Sequence, residues 1–579
     1  MMVMSKLALA ALLLIATSAL PQSATRDSLF EAAQREHWEA PEDEYVRLPR
    51  AERKISPGHR FSSSEIFTVQ VNVNELGENL IGDAANEPTL AIDPRNPNRM
   101  VIGWRQFDTI NSNFRQAGYG FTQDRGDTWI FPGVIEPGVF RSDPVLDSDA
   151  EGNFYFNSLT VRGSDFICHV FKSSDGGSTW DAGTFAQGGD KQWMVIDKTD
   201  GIGRGNIYAY WTQAFSVCAP GFFTRSTNRG LSFENCVIIP DETMRWGTLA
   251  LGPEGELYAC GESDNGFVVT RSLSARDSSQ AVTWDLSTIV DLDGAMGFGG
   301  GPNPGGLLGQ TWVAIDRSAG PLRGNVYLLC SVNRFSTRDP LDVMFARSTD
   351  GGETWSEPVR VNDDTTENAW QWFGTMSVAP NGRIDVIWLD TRDDPGGYRS
   401  SLYYSHSWDG GVTWSANERL SEAFDPHVGW PRQSKLGDYF HMISEDAHAH
   451  LAWAGTFNGE QDVYYSRISP PISAVREHQP GSARVPQSAT LAQNYPNPFN
   501  PATTIDYVLA QRGEVQLKIL NDVGAEVKVL VRATQAAGRH LVVWDGRNEA
   551  GERLASGAYF YTLTVGGREV ISKRMLLLK

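Results

Sequence analysis

Three acidic residues far apart in the chain, Glu87, Asp143 and Asp438, stand at one place relative to the short apolar stretches that follow them, at 88–93, 144–149 and 439–444. Four more stretches carry Lys191, Trp246, Gln310 and Phe373 at that place. If all seven are inner strands of a radial fold, the three carboxyls come from neighbouring units and converge at one side of a central mouth, with Asp190 nearby. Such a cluster could hold a cation, calcium being a hard ion that suits carboxylate oxygens. It could also supply the carboxylate pair of a glycosidic hydrolysis, crowding keeping one carboxyl protonated as a general acid. The competing role is structural, the carboxylates capping backbone amides where the strands begin.

Tyr439 follows Asp438 directly, at the last rim position, and is a candidate nucleophile. Arg105, Arg141, Arg245, Arg334 and Arg392 fall near loops of the same rim, where a guanidinium fork grips a carboxylate or satisfies an acidic loop. Asp390 and Arg392 end one strand there and make a local contact set with Trp388. Trp246 and Trp372, with Trp193, Trp312 and Trp370, cluster near the strand starts, where indoles stack on sugar rings or pack between sheets. The Gly-rich stretch 294–309 joins two units at this rim as a candidate lid. It lacks the Lys and Ser or Thr of a phosphate loop and opens no helix.

These residues need a scaffold, and a repeated turn provides it. Thr122, Asp124, Gly126, Thr128 and Trp129 reappear as Ser173, Asp175, Gly177, Thr179 and Trp180, then as Ser348, Asp350, Gly352, Thr354 and Trp355, and as Ser407, Asp409, Gly411, Thr413 and Trp414. Ser226, Asn228, Gly230, Ser232 and Phe233 form a degenerate copy. In each copy the Asp accepts hydrogen bonds from the turn, the Gly supplies a positive φ, and the aromatic residue plugs the layer beneath. The units recur at roughly 50 to 65 residues, the spacing of four-stranded propeller blades. The last unit, ending at 462–468, has no fourth strand, whereas the alternating run 67–73 stands alone before the first. That run is expected to close the ring by completing the last blade, which removes two sheet edges. Seven blades is the economical count and six the alternative.

At these turns the chain resembles the Asp-box, or BNR-repeat, family typified by sialidases, which implies an all-β propeller. The Arg-Ile-Pro motif that family carries before its first box is missing, and Asn86-Glu87-Pro88 stands in the comparable stretch. This argues against sialidase activity. Two readings follow: a propeller that binds glycans or other extracellular ligands at its rim without a recognisable catalytic set, or an exo-acting glycoside hydrolase of the sialidase type. Neither requires a cofactor.

The chain has 579 residues and a formal charge of −20, which disfavours a nucleic-acid partner because phosphate binding needs a cationic surface. Lys6 and the apolar run 7–20 read as a signal peptide, too short for a lasting span, and no later stretch is long and apolar enough to cross a membrane. Export permits disulfides. Of the five cysteines, Cys218 and Cys236 flank one predicted hairpin, and the odd count leaves at least one thiol unpaired.

The expected organisation is a signal peptide at 1–24, a charged, solvated leader at 25–60, the propeller at 61–470, a linker at 471–487 and a small immunoglobulin-like sandwich at 488–579. The sandwich opens with Asn494-Tyr495-Pro496-Asn497-Pro498-Phe499-Asn500-Pro501 and closes on Lys573 and Met575 to Lys579. These ends are similar to the type A sorting domain of type IX secretion, which implies that export machinery as a partner and a secreted or cell-surface destination.

Overall fold

The computed structural model describes residues 43–470 apart from Arg338, and residues 490–578 apart from short stretches. The signal peptide, the first part of the leader and the linker lie outside the described residues. The chain divides into two compact units, Met1–Val475 and Arg476–Lys579.

Among the described residues of the first unit, seven antiparallel sheets follow one another, each running outward from an inner strand, with one separate two-stranded sheet beside them. The inner strands are Ala84–Ile92, Ser142–Ser148, Trp193–Ile196, Leu249–Leu251, Trp312–Ile315, Gln371–Val378 and His441–Ser444. Each packs against the next, and the seventh packs against the first, so the sheets close a ring. The chain fastens that ring itself: Ile66–Gln70 pairs antiparallel with Asp462–Ile468, Ile66 opposite Ile468 and Gln70 opposite Tyr464. Thr68 and Ser466 hydroxyls share a buried hydrogen bond at 2.8 Å, and the Asn72 amide donates to Asp462 Oδ1 at 2.8 Å. The core lies between sheets. Gly103 shows how flush they pack, since a Cβ there would stand 2.4 Å from the Phe156 ring of the second sheet.

The leader differs from the expectation of a solvated segment. From Asp43 onward it is folded onto the first sheet. The Arg50 guanidinium donates to the Phe131 and Val73 carbonyls at 2.8 and 3.1 Å, Arg53 pairs with Asp108 at 3.8 Å, and Ile55–Pro57 pairs with Glu78–Leu80. Arg50 and Arg53 are thus spent on backbone carbonyls and an acidic loop.

Cys218 and Cys236 form a disulfide that ties the loop after the third sheet's second strand to the strand end beyond its box turn. Cys168, Cys260 and Cys330 are buried free thiols.

The second unit contains two sheets, one of Thr490–Leu491, Thr503–Leu509 and Gly538–Trp544, the other of Glu526–Gln535, Gly513–Leu520, Gly557–Val565 and Arg568–Leu577. Ile505, Tyr507, Leu517, Ile519, Tyr561 and Leu563 are buried in one hydrophobic cluster, the core of a small sandwich.

Candidate functional site

Five of the seven inner strands are entered through a left-handed residue. Glu87, Asp143, Lys191, Trp246 and Phe373 have φ between 48° and 57°, in the left-handed region that side chains with a Cβ rarely adopt. Register shifts mark the same places, between Asn86 and Thr89 in the first sheet and between Trp372 and Thr375 in the sixth. Each such residue costs roughly 1–2 kcal/mol. A bulge bends its strand and re-aims a side chain, and here the re-aimed groups meet near the axis.

They meet as a buried ion network. The Lys191 ammonium lies 3.7 Å from Glu87 Oε1, 3.7 Å from Asp143 Oδ1 and in direct contact with Asp438 Oδ2. Lys435 reaches the same Asp438 oxygen at 2.7 Å and Glu87 at 3.6 Å, and Arg105 Nη2 reaches Glu87 at 3.1 Å. Glu87, Asp143, Asp438 and Arg105 are fully buried, as is Asp190, and the two lysines are 4–5% exposed. Three acidic side chains are thus met by three cations, the kind of pairing a buried charge cluster needs. The carboxylates also cap backbone: the Lys191 N–H donates to Asp143 Oδ2 at 3.0 Å, and the Leu307 N–H to Asp438 Oδ1 at 2.9 Å.

This geometry corrects the expected open mouth. The space assigned to a calcium ion or a sugar ring between Glu87, Asp143 and Asp438 is taken by the Lys191 ammonium. Among the described residues there is no cluster of three His, Cys, Asp or Glu suited to a metal. Burial pushes the Glu87 carboxyl up to about 8, against the lowering effect of Arg105, Lys191 and Lys435. Tyr439 is no better placed as a nucleophile. Its hydroxyl donates to the Pro144 carbonyl at 3.1 Å, and burial, with Glu87 and Asp143 adding to it, holds the phenol well above its ordinary pKa.

Below the ions the axis is filled by rings from alternate sheets. Trp193 meets Trp312 edge to face at 5.2 Å and Tyr439 at 5.6 Å, while His441 stacks on Trp312 at 5.8 Å. His441 Nδ1 accepts from the Leu90 N–H at 3.1 Å, and burial pushes the imidazole down to about 4, so it is neutral.

Above the ions lies the Gly-rich stretch. Asn303 Nδ2 donates to the Gly437 and Leu307 carbonyls at 2.8 and 2.6 Å, its Oδ1 accepts from the Leu436 N–H at 2.8 Å, and Gly305 N–H donates to the Ser434 carbonyl at 2.8 Å. Glycine is required by the close approach: a Cβ on Gly306 would stand 2.6 Å from Asp438 Oδ1, and one on Gly437, at φ 102°, 2.7 Å from Glu87 Cγ. The stretch is a fixed cover of the network.

The five arginines are held in separate places. Arg105 belongs to the network and also donates to Asn86 Oδ1 at 2.9 Å. Arg141 pairs with Glu136, and Arg245 with Glu262 and Asp264 at 3.5 and 3.0 Å. Arg334 pairs with Asp293 and Asp342 at 2.8 and 3.1 Å, and Arg392 with Asp390 and Asp363, each at 2.8 Å. Each satisfies acidic groups of its own neighbourhood. Asp390 also accepts from the Trp388 indole at 2.7 Å. Trp246, 7% exposed, stacks on Phe298 at 5.8 Å, and Trp372 is fully buried, its indole donating to Ser400 Oγ at 3.1 Å, so both indoles pack rather than present a face.

The box residues carry the opposite chemistry, at the outer turns. In the first copy Asp124 accepts from the Thr128 N–H at 2.9 Å and hydroxyl at 2.6 Å, and from the Thr122 hydroxyl at 2.6 Å. Asp175, Asp350 and Asp409 repeat the pattern, and Asn228 accepts from the Ser232 N–H at 3.0 Å.

Comparison with known proteins bears first on the second unit. Residues 501–568 match the FlgD Ig-like domain family. No curated protein matches the chain. Among solved structures, the chain is similar to a protein of unknown function from Dyadobacter fermentans, at 13% identity over 70% of this chain and 98% of that one, TM-score 0.41. It is similar to the NanB sialidase from Streptococcus pneumoniae at 12% identity over 71% and 70%, TM-score 0.35. A third neighbour is PorZ of Porphyromonas gingivalis, a surface component of the type IX secretion system, at 12% identity over 92% and 76%, TM-score 0.27. The all-β propeller assignment itself rests on the ring of sheets. Among the described residues no helix is long and apolar enough to cross a membrane.

Lys435 escaped the sequence reading. It lies in a loop outside any repeat, and its only local signal is its place three residues before Asp438.

Proposed function

We propose that this chain is an exported, sialidase-like propeller of seven blades that binds extracellular glycans at its rim loops and performs no hydrolysis at its axis. The observation that carries the reading is the pairing of Lys191, Lys435 and Arg105 with Glu87, Asp143 and Asp438, which fills the space where a sugar would have to sit between them. The apolar N-terminal run and the sorting-type ends of the second unit support passage through the type IX machinery to the cell surface. The test uses the full mature chain on a glycan array and with fluorogenic sialosides. Binding without turnover is expected, and turnover that falls in Asp143→Asn or Tyr439→Phe would overturn the reading in favour of an exo-glycosidase.

A further inference from the structure

A cleft of about 730 Å³ opens beside the fifth sheet, outside the axial network, with Phe335, Thr337, Asp339, Arg360, Thr366 and Glu367 in its wall. Phe335 is 77% exposed, although the backbone that carries it is firmly held. Its N–H donates to the Asp293 carbonyl at 2.8 Å, Arg334 before it pairs with Asp293 and Asp342, and Ser336 after it donates to Asp293 Oδ2. A large apolar ring so exposed buries little surface on folding, and the backbone that carries it is ordered before any ligand arrives.

Asp339 stands in the same wall. It is 4% exposed, and its Oδ1 is buried with no hydrogen-bond partner, a state that leaves a desolvated acceptor uncompensated. Asp342 beneath it is satisfied by Arg334, by Arg360 at 3.5 Å and by the Asn362 amide at 2.6 Å, so it supports the cleft. The Arg360 side chain is one-third exposed and adds guanidinium donors to the wall.

We propose that this cleft is a subsite for a neutral sugar ring, stacked on Phe335 and hydrogen-bonded through its hydroxyls to Asp339 and Arg360. A flat ring beside a carboxyl and a guanidinium matches a pyranose, which offers an apolar C–H face and vicinal hydroxyls at its edge. Charge sets the class. Among the described residues of the wall, Asp339, Asp342 and Glu367 outnumber Arg360, which disfavours an anionic sugar such as a sialoside. A cation is disfavoured because Asp342 is already bound by two arginines. Burial, then Asp342 and Asp364, push the Asp339 carboxyl up to about 7, so near neutral pH it is available to a hydroxyl both as donor and as acceptor.

The subsite rests on the glycan-binding reading above. Its test screens the full mature chain against an array of neutral and sialylated oligosaccharides, then titrates the best neutral binder against wild type, Phe335→Ala, Phe335→Trp and Asp339→Asn, with melting temperatures recorded for all four. Tenfold or greater weakening in Phe335→Ala, affinity kept in Phe335→Trp, and weakening in Asp339→Asn are expected, with the Phe335→Ala melting temperature unchanged because the ring is exposed. Neutral-glycan binding that neither Phe335→Ala nor Asp339→Asn weakens overturns the subsite and leaves the glycan reading standing. Binding confined to sialylated glycans overturns the neutral class. Binding to no glycan overturns the broader reading and the subsite with it.

Discussion

At the outer turns Asp124, Asp175, Asp350 and Asp409 accept hydrogen bonds from a threonine four residues further on and stay near water; at the axis Glu87, Asp143 and Asp438 are removed from water and met by cations. The two settings move carboxyls in opposite directions. Hydrogen bonds from Thr354 hold Asp350 down at about 2, whereas burial drives Glu87 up to about 8. Local donors stabilise the charged form without desolvation, and a buried charge persists only through partners that the whole fold delivers. The turns are therefore independent fasteners, and the axis is one cooperative unit.

The largest expected break in that contrast is at Lys191. Lys191→Met leaves the buried acids Glu87, Asp143 and Asp438 facing only Lys435 and Arg105 and should cost about 3–5 kcal/mol, read as the shift in urea midpoint. Adding Asp438→Asn should recover part of that loss, since the surplus charge goes with it. A loss no greater than that of a single box substitution would show that the axial ions are not a unit.

Next in size is the acid response of His441, whose pKa is lowered by burial and by Lys198 against the raising effect of Asp147. Its folded value lies below its unfolded value of about 6.5, so the unfolded chain binds more protons between the two and stability falls as pH drops from about 6.5 to about 4. This contribution amounts to as much as about 3 kcal/mol. The difference in unfolding free energy between wild type and His441→Gln, measured from pH 7 to 4, should show that slope. The box carboxyls act in another window, their contribution being present above about 3.8 and lost as pH falls towards 2. A flat difference curve would mean that the aromatic layer admits a charged imidazole.

The smallest effect belongs to the turns. Asp409→Ala removes acceptors for Ser407 and Thr413 and should cost about 1 kcal/mol, and Asp124→Ala should add to it independently because the two boxes lie in different sheets. Marked non-additivity in thermal or urea unfolding would remove the distinction between fasteners and unit.

The same contrast explains what could be read in the residues. A box is a pattern of five positions within eight residues, and its hydrogen bonds stay inside that window, so spacing alone identifies it. The closing strand at Ile66–Gln70 was legible because an unpaired strand at one end and an unfilled edge at the other call for each other. Of the partners of Glu87, Asp143 and Asp438, Lys191 shares their place in the repeat and Arg105 falls near the same rim, but the residues alone do not say that these cations fill the space between the acids. Lys435 sits in an irregular loop and leaves no periodic trace. The carboxyl convergence was expected, but as an opening for ligand; what fills it depends on side-chain reach across the ring. The folded part of the leader was missed for a similar reason, since Arg50 and Arg53 bind carbonyls that no sequence pattern marks.

Amide hydrogen exchange at Lys191 and Leu307 tests the closed axis most directly, because their N–H groups are donated to Asp143 and Asp438. Both should exchange only through opening close to global unfolding, while the box amides of Thr128 and Thr413 exchange through local fluctuation. Exchange at Lys191 and Leu307 as fast as at the boxes would mean that water reaches the carboxylates in the native state, and the axis would then be an open site.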